Sequence, residues 1–388
     1  MKKLNPKTTT TTNNTYYCSQ KFWWLSVSPE KQYVSSCCSA THAKIDINWL
    51  EENPNQLFNQ LILQEERQLM LDNQLVNSCE SMCWGPERAG LPSRRTTMNS
   101  TDITHTSIMA RPEMINIILN SDCNLTCSYC NKEYSSAWLR DINDNGAYIE
   151  DETRSILTPM DRIILKLGRP AINSNKNYQL IMSEILKYKD VPCINITGGE
   201  PFLFNELVEL VNNYTGRIRI YTGLGVSSTR LSRLLDLLPL SRLTIVISAE
   251  NTEKLYEFNR YGNSYRLFLD NLHIVKSSGV EYKFASVLSN LTIFGLSEFL
   301  DEYSDQCEEL SNCTDPRYLS ANVLDQASKE LIVSRDYGKF DNEIKSMVLA
   351  ESTLEQKINL KTYINEFSKR RNLNLDIFPK HFINWINE

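Results

Sequence analysis

Three cysteines fall within eight residues, in the run Asn120-Ser-Asp-Cys123-Asn-Leu-Thr-Cys127-Ser-Tyr-Cys130. The spacing is C-x₃-C-x₂-C. It follows an apolar segment in which Ile115, Ile117 and Leu119 share one face of a strand. Three thiolates this close together can hold three irons of a [4Fe–4S] cluster, leaving the fourth iron without a protein ligand. That iron stays open to a substrate or cofactor. A structural zinc site needs a closed set of four N/S ligands, and the nearest histidine, His105, lies before the strand.

The chain has 388 residues, enough for two or three domains and a sizeable core. A net charge of −6 argues against a sequence-independent grip on nucleic acid. No apolar run reaches the roughly 18 residues of a membrane span, so none is expected. Thr8 to Thr12 is a polar lead-in rather than a signal-peptide core, and a cytoplasmic location is expected. The eleven cysteines are clustered, which in a reducing compartment points to metal rather than disulfides.

From Glu113 the pattern alternates between strand and helix. Strands are predicted at Cys193 to Thr197, Arg217 to Tyr221, Leu243 to Ser248 and Tyr282 to Leu288. Helices are predicted at Ser135 to Asp141, Tyr178 to Lys187, Thr229 to Leu238, from Tyr265 to an end at Gly279, and at Phe294 to Tyr303. Ile142 to Asn177 reads as an insertion holding a short helix capped by Thr158, begun by Pro159 and ended by Gly168. Repeating strand–helix units imply a parallel sheet with right-handed crossovers, open or curled into a barrel. Three regions are expected: a cysteine-rich module over 1–105 with a helix near Asn55 to Asn73, an α/β region over 106–310, and a mainly helical extension over 311–388. Met98 to Arg111 reads as a linker. The segment Phe378 to Trp385 is an aromatic tail expected to dock on the core.

A second motif, Thr197-Gly198-Gly199-Glu200-Pro201, ends the strand after the cysteine loop. Two glycines permit close approach to the backbone. Glu200 offers a carboxylate to a cationic amine, and Pro201 fixes the exit. In a parallel barrel both loops lie on the rim that carries active sites.

The triplet with Tyr129 before its last cysteine, followed by Gly198-Gly199-Glu200-Pro201, resembles the radical S-adenosylmethionine superfamily over about residues 113 to 300. The resemblance implies a partial (β/α)₆ TIM-like barrel. It implies that S-adenosylmethionine chelates the open iron of a [4Fe–4S] cluster held by Cys123, Cys127 and Cys130. Gly198, Gly199, Glu200 and Pro201 would hold its ammonium, and Tyr129 would lie near the adenine. The chemistry implied is one-electron cleavage of the sulfonium to a 5′-deoxyadenosyl radical that takes hydrogen from a substrate. An external flavodoxin- or ferredoxin-like donor is expected to supply the electron. Ser248 and Arg260 correspond to positions that contact the cofactor in many relatives; a strand-end serine and a surface arginine are the plainer alternative. Thr222-Gly223 stands where relatives often show Thr-Asn-Gly, so the ribose contact lacks its asparagine. Asn290 or Thr292 would fill the place of a further asparagine, and the choice stays open.

Cys18, the pair Cys37-Cys38, and Cys79 with Cys83 offer five thiols for one four-ligand site. With the run Glu87-Arg-Ala-Gly90-Leu-Pro-Ser93-Arg94 they resemble the auxiliary-cluster module called SPASM, or its shorter twitch form, placed ahead of the barrel. The expectation is a second [4Fe–4S] cluster on Cys18, one of Cys37 and Cys38, Cys79 and Cys83. A Cys₄ zinc knuckle is the alternative. His42 is a further candidate ligand. Cys193 reads as a buried strand thiol, and Cys307 and Cys313 as spare thiols with ligation or redox chemistry as the alternative; Trp84 and Trp138 read as shields against water or as ordinary core. Glu87, Glu133 and the carboxylates of the 142–177 insertion are acid/base candidates without a distinguishing feature.

These features predict a radical enzyme acting on a peptide or small protein, the usual substrates of relatives with such modules. A small-molecule substrate (sugar, nucleoside or alcohol) is the alternative, since no peptide-binding region is recognisable. A non-catalytic iron–sulfur protein for electron transfer or sensing is the third reading.

Overall fold

The computed structural model describes residues 15–38, 40–88, 90, 93–98, 105–149, 156–167 and 175–388. The polar lead-in at Thr8 to Thr12 and the helix end at Gly168 lie outside them. Contacts divide the chain into two compact units, Met1–Asn116 with Lys176–Pro192, and Ile117–Asn175 with Cys193–Glu388.

The first unit contains a short antiparallel meander. Strand β1 (Trp24–Ser28) pairs with β2 (Tyr33–Ser35), and β2 with β3 (Ala43–Lys44). The helix expected near Asn55 to Asn73 is divided into a 3₁₀ turn, Leu57–Asn59, and the α-helix Leu61–Leu71. The break falls at the extended Gln60 and has a local cause. Buried Arg67 donates to Asn59 Oδ1 at 2.9 Å and to the Phe58 carbonyl at 3.0 Å, a carbonyl that a continuous helix would use. Burial pushes the Arg67 guanidinium down to about 10. The helix Lys176–Ile185 belongs to this unit: its Glu184 accepts the Asn55 amide at 2.7 Å.

Strand β4 (Met114–Ile118) leads into the second unit. There follow β5 (Thr126–Cys127), β6 (Cys193–Thr197), β7 (Arg217–Thr222), β8 (Leu243–Ser248), β9 (Arg260–Tyr261), β10 (Glu281–Leu288) and β11 (Cys307–Asn312). The sheet order is β11-β10-β8-β7-β6-β4, with β6, β7, β8, β10 and β11 paired in parallel, as a partial TIM-like barrel requires. Ile218 pairs with Ile194, Ile220 with Ile245 and Ile247 with Phe284, all buried. These runs of β-branched residues suit strands covered on both faces. The helices Leu207–Asn212, Ser228–Leu235, Tyr265–Ser278 and Leu296–Tyr303 make the connections. Ser264 caps the third of these by accepting the Leu267 amide, and Gly279 closes it at φ 73°. In the insertion, Thr158 caps the helix Pro159–Leu167 by accepting the Asp161 amide at 3.1 Å.

Strand β11 has no alternating apolar signature, because among its residues only Cys307 is fully buried; it is an edge strand. The chain then becomes helical, with Gln326–Val333, Asp341–Leu349, Leu354–Arg371 and Lys380–Asn387. Phe378 and Phe382 dock against Phe294, with ring centroids 5.7 and 4.9 Å away. Among the described residues no helix is long and apolar enough to cross a membrane.

Candidate active site

The cysteine loop leaves β4 and is held on three sides. From the helix Ser136–Asn145, the Ser136 hydroxyl accepts the Cys123 amide at 3.2 Å, and Ser135 Oγ donates to the Leu125 carbonyl at 2.6 Å. Trp138 Nε1 donates to the Cys127 carbonyl at 3.1 Å. From the far side, β5 pairs antiparallel with β9, setting Cys127 opposite Arg260. The Ser128 amide and hydroxyl donate to Asn259 at 2.8 and 2.7 Å. Cys127 is buried, and Cys123 and Cys130 are half-buried. The Leu125 amide donates to Cys123 Sγ at 3.4 Å, a bond suited to a thiolate. Burial, then the neighbouring Cys127, raises the Cys123 thiol. Burial pushes Cys127 up to about 12 against the pull of Arg260. Thiols in such surroundings lose their protons to a bound metal rather than to water.

The Gly-Gly-Glu-Pro turn is fastened to this loop. The Gly199 amide donates to the Asn120 carbonyl at 2.7 Å, and the Glu200 amide to the Asp122 carbonyl at 2.6 Å. A Cβ on Gly198, whose φ is 132°, would lie 2.5 Å from the Asn120 carbonyl oxygen, and one on Gly199 would overlap Asp122. The close approach that these glycines permit is therefore made by the cysteine loop itself. Glu200 is buried and supplied with donors by its own chain: Thr222 Oγ1 at 2.8 and 2.9 Å, and the Gly223 and Phe202 amides at 3.0 and 3.1 Å. Burial raises its carboxyl despite these bonds. Glu200 and Thr222 thus tie together the ends of β6 and β7, while Pro201 opens a 3₁₀ turn.

Arg260 is buried rather than surface-exposed. Its Nη2 lies 2.8 Å from Glu250 Oε2, with both side chains almost wholly enclosed. Burial alone would lower this guanidinium, but Glu250 and then Tyr129 hold it raised. The guanidinium stands 5.7 Å from the Tyr129 ring centroid. Arg260 Nε is buried without a hydrogen-bond partner, and the buried Tyr129 hydroxyl interacts with Glu250. An unsatisfied buried guanidinium N–H beside Cys127 fits a polar cofactor better than an apolar one. Glu250 carries no sequence motif; only its burial beside Arg260 reveals it.

The structure places the other expected residues as follows. Ser248 ends β8, half-buried. Thr292 folds into a local turn, donating to the Val287 carbonyl at 2.7 Å. Asn290 donates to the carbonyls of Tyr318 and Val323 at 2.8 and 3.2 Å, so it pins that loop. Glu133 pairs with Lys132, which also holds Asp161 of the insertion helix at 2.7 Å.

In the first unit, Cys18, Cys37, Cys79 and Cys83 line one cavity with Lys21, Trp84, Arg94 and Arg95. Cys38 is exposed and stands outside that lining, and His42 packs beside Tyr33 rather than in it. The structure thus separates the two adjacent cysteines that the sequence leaves equivalent. Burial, then Cys37, pushes the Cys18 thiol up to about 12; burial pushes Cys79 up to about 11. Cys37 also raises Cys79 and Cys83. Lys21 is buried against Glu66 at 2.6 Å; burial would lower it, but Glu66 and Cys79 outweigh that and hold it raised. Trp84 Nε1 donates to the Val76 carbonyl at 2.8 Å, closing one wall. Glu87 bonds Ser93 and Arg95 and is thereby engaged structurally. Among the described residues no three His, Cys, Asp or Glu side chains converge tightly enough for a single metal ion. Thiolates on a cluster each bind a different iron and stand further apart than the ligands of one ion.

Residues 117–303, just under half of the chain, match the family model of the Radical SAM superfamily. The match includes the triplet, the Gly-Gly-Glu-Pro turn, Glu250 and Arg260. It leaves out the cysteine cavity and the C-terminal helices. Among solved structures, "Native anSMEcpe with bound AdoMet" is 18% identical, covering 52% of this chain and 52% of that one, with a TM-score of 0.32. A polyhistidine-tagged form of anSMEcpe, also with bound AdoMet, is 17% identical, covering 67% and 58%, with a TM-score of 0.33. The chain thus spans about half the length of the first of these structures. No curated protein matches it.

Proposed function

We infer that this chain is a radical S-adenosylmethionine enzyme whose triplet Cys123, Cys127 and Cys130 holds a [4Fe–4S] cluster with one open iron. A reduced cluster held there would supply the electron for cleaving the sulfonium to methionine and a 5′-deoxyadenosyl radical, the species that would remove hydrogen from the substrate. The chain's own work is placement and exclusion of water. Cys123, Cys127 and Cys130 would bind iron as thiolates. Arg260, paired with Glu250, would offer its unpartnered Nε to a carboxylate of the cofactor, and Tyr129 would offer its ring. Glu200 and Thr222 fix the rim against which the cofactor would lie.

The observation that carries this reading is the hydrogen-bonded union of the cysteine loop with the Gly198–Pro201 turn inside the segment that matches the family. Four cysteines in one cavity support a second [4Fe–4S] cluster on Cys18, Cys37, Cys79 and Cys83. Such a cluster, with the resemblance to SPASM and twitch modules, favours a peptide or small protein as substrate.

The test uses anaerobically reconstituted protein, reduced with dithionite and given S-adenosylmethionine. Formation of 5′-deoxyadenosine supports the assignment. Its absence favours a non-catalytic iron–sulfur protein, and its persistence in the Cys123/127/130→Ala variant refutes the site. About eight irons per chain fits two clusters, whereas about four with one zinc removes the second. Deuterium transfer from a labelled peptide into 5′-deoxyadenosine would establish the substrate class; transfer only from a sugar, nucleoside or alcohol would replace it.

A further inference from the structure

We propose that Arg371, at the end of the C-terminal helix Leu354–Arg371, is a positioning residue for the cysteine loop and acts on Cys127 through Thr126. The proposal rests on the reading that the triplet holds the cluster. Arg371 lies 245 residues along the chain from Thr126, yet its Nε donates to Thr126 Oγ1 at 3.0 Å. Thr126 and Cys127 form the whole of β5, so a force on the Thr126 side chain falls directly on the backbone carrying Cys127.

The same guanidinium engages the other supports of that cysteine. Its Nη1 donates to Tyr148 Oη at 2.6 Å. Its carbon lies 4.0 Å from the Phe367 ring centroid, 4.9 Å from Trp138 and 5.5 Å from Tyr261. Trp138 bonds the Cys127 carbonyl, and Tyr261 is the β9 partner of Thr126. One buried cation therefore touches the side chain, the indole and the paired strand that fix Cys127. Arg371 is 8% exposed, and nearby Asp141 lies 3.7 Å from its Nη2. Two N–H groups directed at two hydroxyls, with aromatic rings packed around the plane, match a planar guanidinium and not an ammonium. From the same helix, Tyr363 Oη donates to the Ser128 carbonyl, a second hold on the loop.

Generic packing does not require this arrangement, since a buried cation is costly unless its partners are correctly placed. Its benefit is geometric: the loop is set by a helix outside the matched segment, so cluster geometry depends on the C-terminal extension being docked.

The test is made on full-length reconstituted protein with Thr126→Val, Thr126→Ser and Arg371→Gln. The readouts are iron content, melting temperature, 5′-deoxyadenosine formation and the electron paramagnetic resonance spectrum of the reduced cluster with and without S-adenosylmethionine. Thr126→Val keeps the side-chain volume and removes the acceptor; Thr126→Ser keeps the hydroxyl. We expect Thr126→Val and Arg371→Gln to alter the spectrum and slow 5′-deoxyadenosine formation about tenfold, the scale of one hydrogen bond to a charged group. Thr126→Ser should retain the wild-type spectrum. Wild-type spectra and rates in both Thr126→Val and Arg371→Gln would overturn the proposal, as would equal changes in Thr126→Ser and Thr126→Val. Should Arg371→Gln fail to fold, the two threonine variants decide. A wild-type protein that binds no iron instead fails the underlying assignment.

Discussion

The amide of Gly199 donates to the carbonyl of Asn120 at 2.7 Å, joining the two sequence motifs backbone to backbone. No side chain fits between them. The glycine pair is thus a requirement of the loop that carries Cys123. The position of Cys123 relative to Glu200 is set by main-chain bonds, which do not relax as side-chain contacts do.

Gly199→Ala should therefore lose the cluster before it loses the fold. The added Cβ overlaps the Asp122 backbone, and overpacking of this kind costs about 1–3 kcal/mol. The expected outcome is a lower melting temperature with a disproportionate fall in iron bound by a variant that retains only the triplet. Wild-type iron content in Gly199→Ala would show that the loop tolerates separation from the turn.

Cys37 and Cys38 should behave oppositely. Cys37 lines the cavity with Cys18, Cys79 and Cys83, whereas Cys38 faces solvent. In a Cys123/127/130→Ala background, Cys38→Ser should keep about four irons per chain and Cys37→Ser should lose most of them. Metal analysis with the visible thiolate-to-iron absorption checks this. Equal losses in the two variants would argue against the cavity as the ligand set.

Much of this was legible because the informative residues are neighbours in sequence. Strands Cys193–Thr197 and Leu243–Ser248 were readable end to end, since runs such as Leu-Thr-Ile-Val-Ile-Ser have few other stable uses. The triplet and the Gly-Gly-Glu-Pro turn were readable for the same reason. What stayed hidden depends on distant partners. Gly199 gives room to the Asp122 backbone, and Glu200 accepts from Thr222 and Gly223. Glu250 announces itself only through Arg260, and Arg371 only through Thr126. Cys37 and Cys38 are chemically identical, so only the path of the chain can choose between them. Strand β11 escaped because an edge strand with a single buried residue shows no apolar period.

Breaking the Glu250–Arg260 pair should be expensive. Both side chains are buried at a separation of 2.8 Å, and removing one leaves an uncompensated charge beside Cys127. Glu250→Ala is expected to cost roughly 3–5 kcal/mol in denaturant unfolding. The double variant Glu250→Ala with Arg260→Met should recover part of that stability while binding S-adenosylmethionine poorly. A Glu250→Ala protein as stable as wild type would mean that Arg260 finds another acceptor.

The Glu87–Arg95 pair gives the cysteine module an acid-sensitive support. Burial alone would raise the Glu87 carboxyl, but bonds from Arg95 and Ser93 overcome this and hold it below the ordinary 4.5. A carboxyl depressed in the folded state favours folding when ionised. Its contribution is therefore complete above the unfolded value and disappears as pH falls through the folded one. Arg95 also lies 4.8 Å from the Trp84 ring centroid, so the pair steadies a wall of the cavity. Glu87→Gln should lower stability at pH 6 by about 1 kcal/mol or more, the scale of a charge-assisted bond in a partly buried pair. The gap between wild type and Glu87→Gln should then close as pH falls below 4.5, because protonated wild type also lacks the charge. Urea unfolding at pH 6 and at successively lower pH measures the gap directly; a difference independent of pH would mean that Glu87 acts by shape rather than by charge.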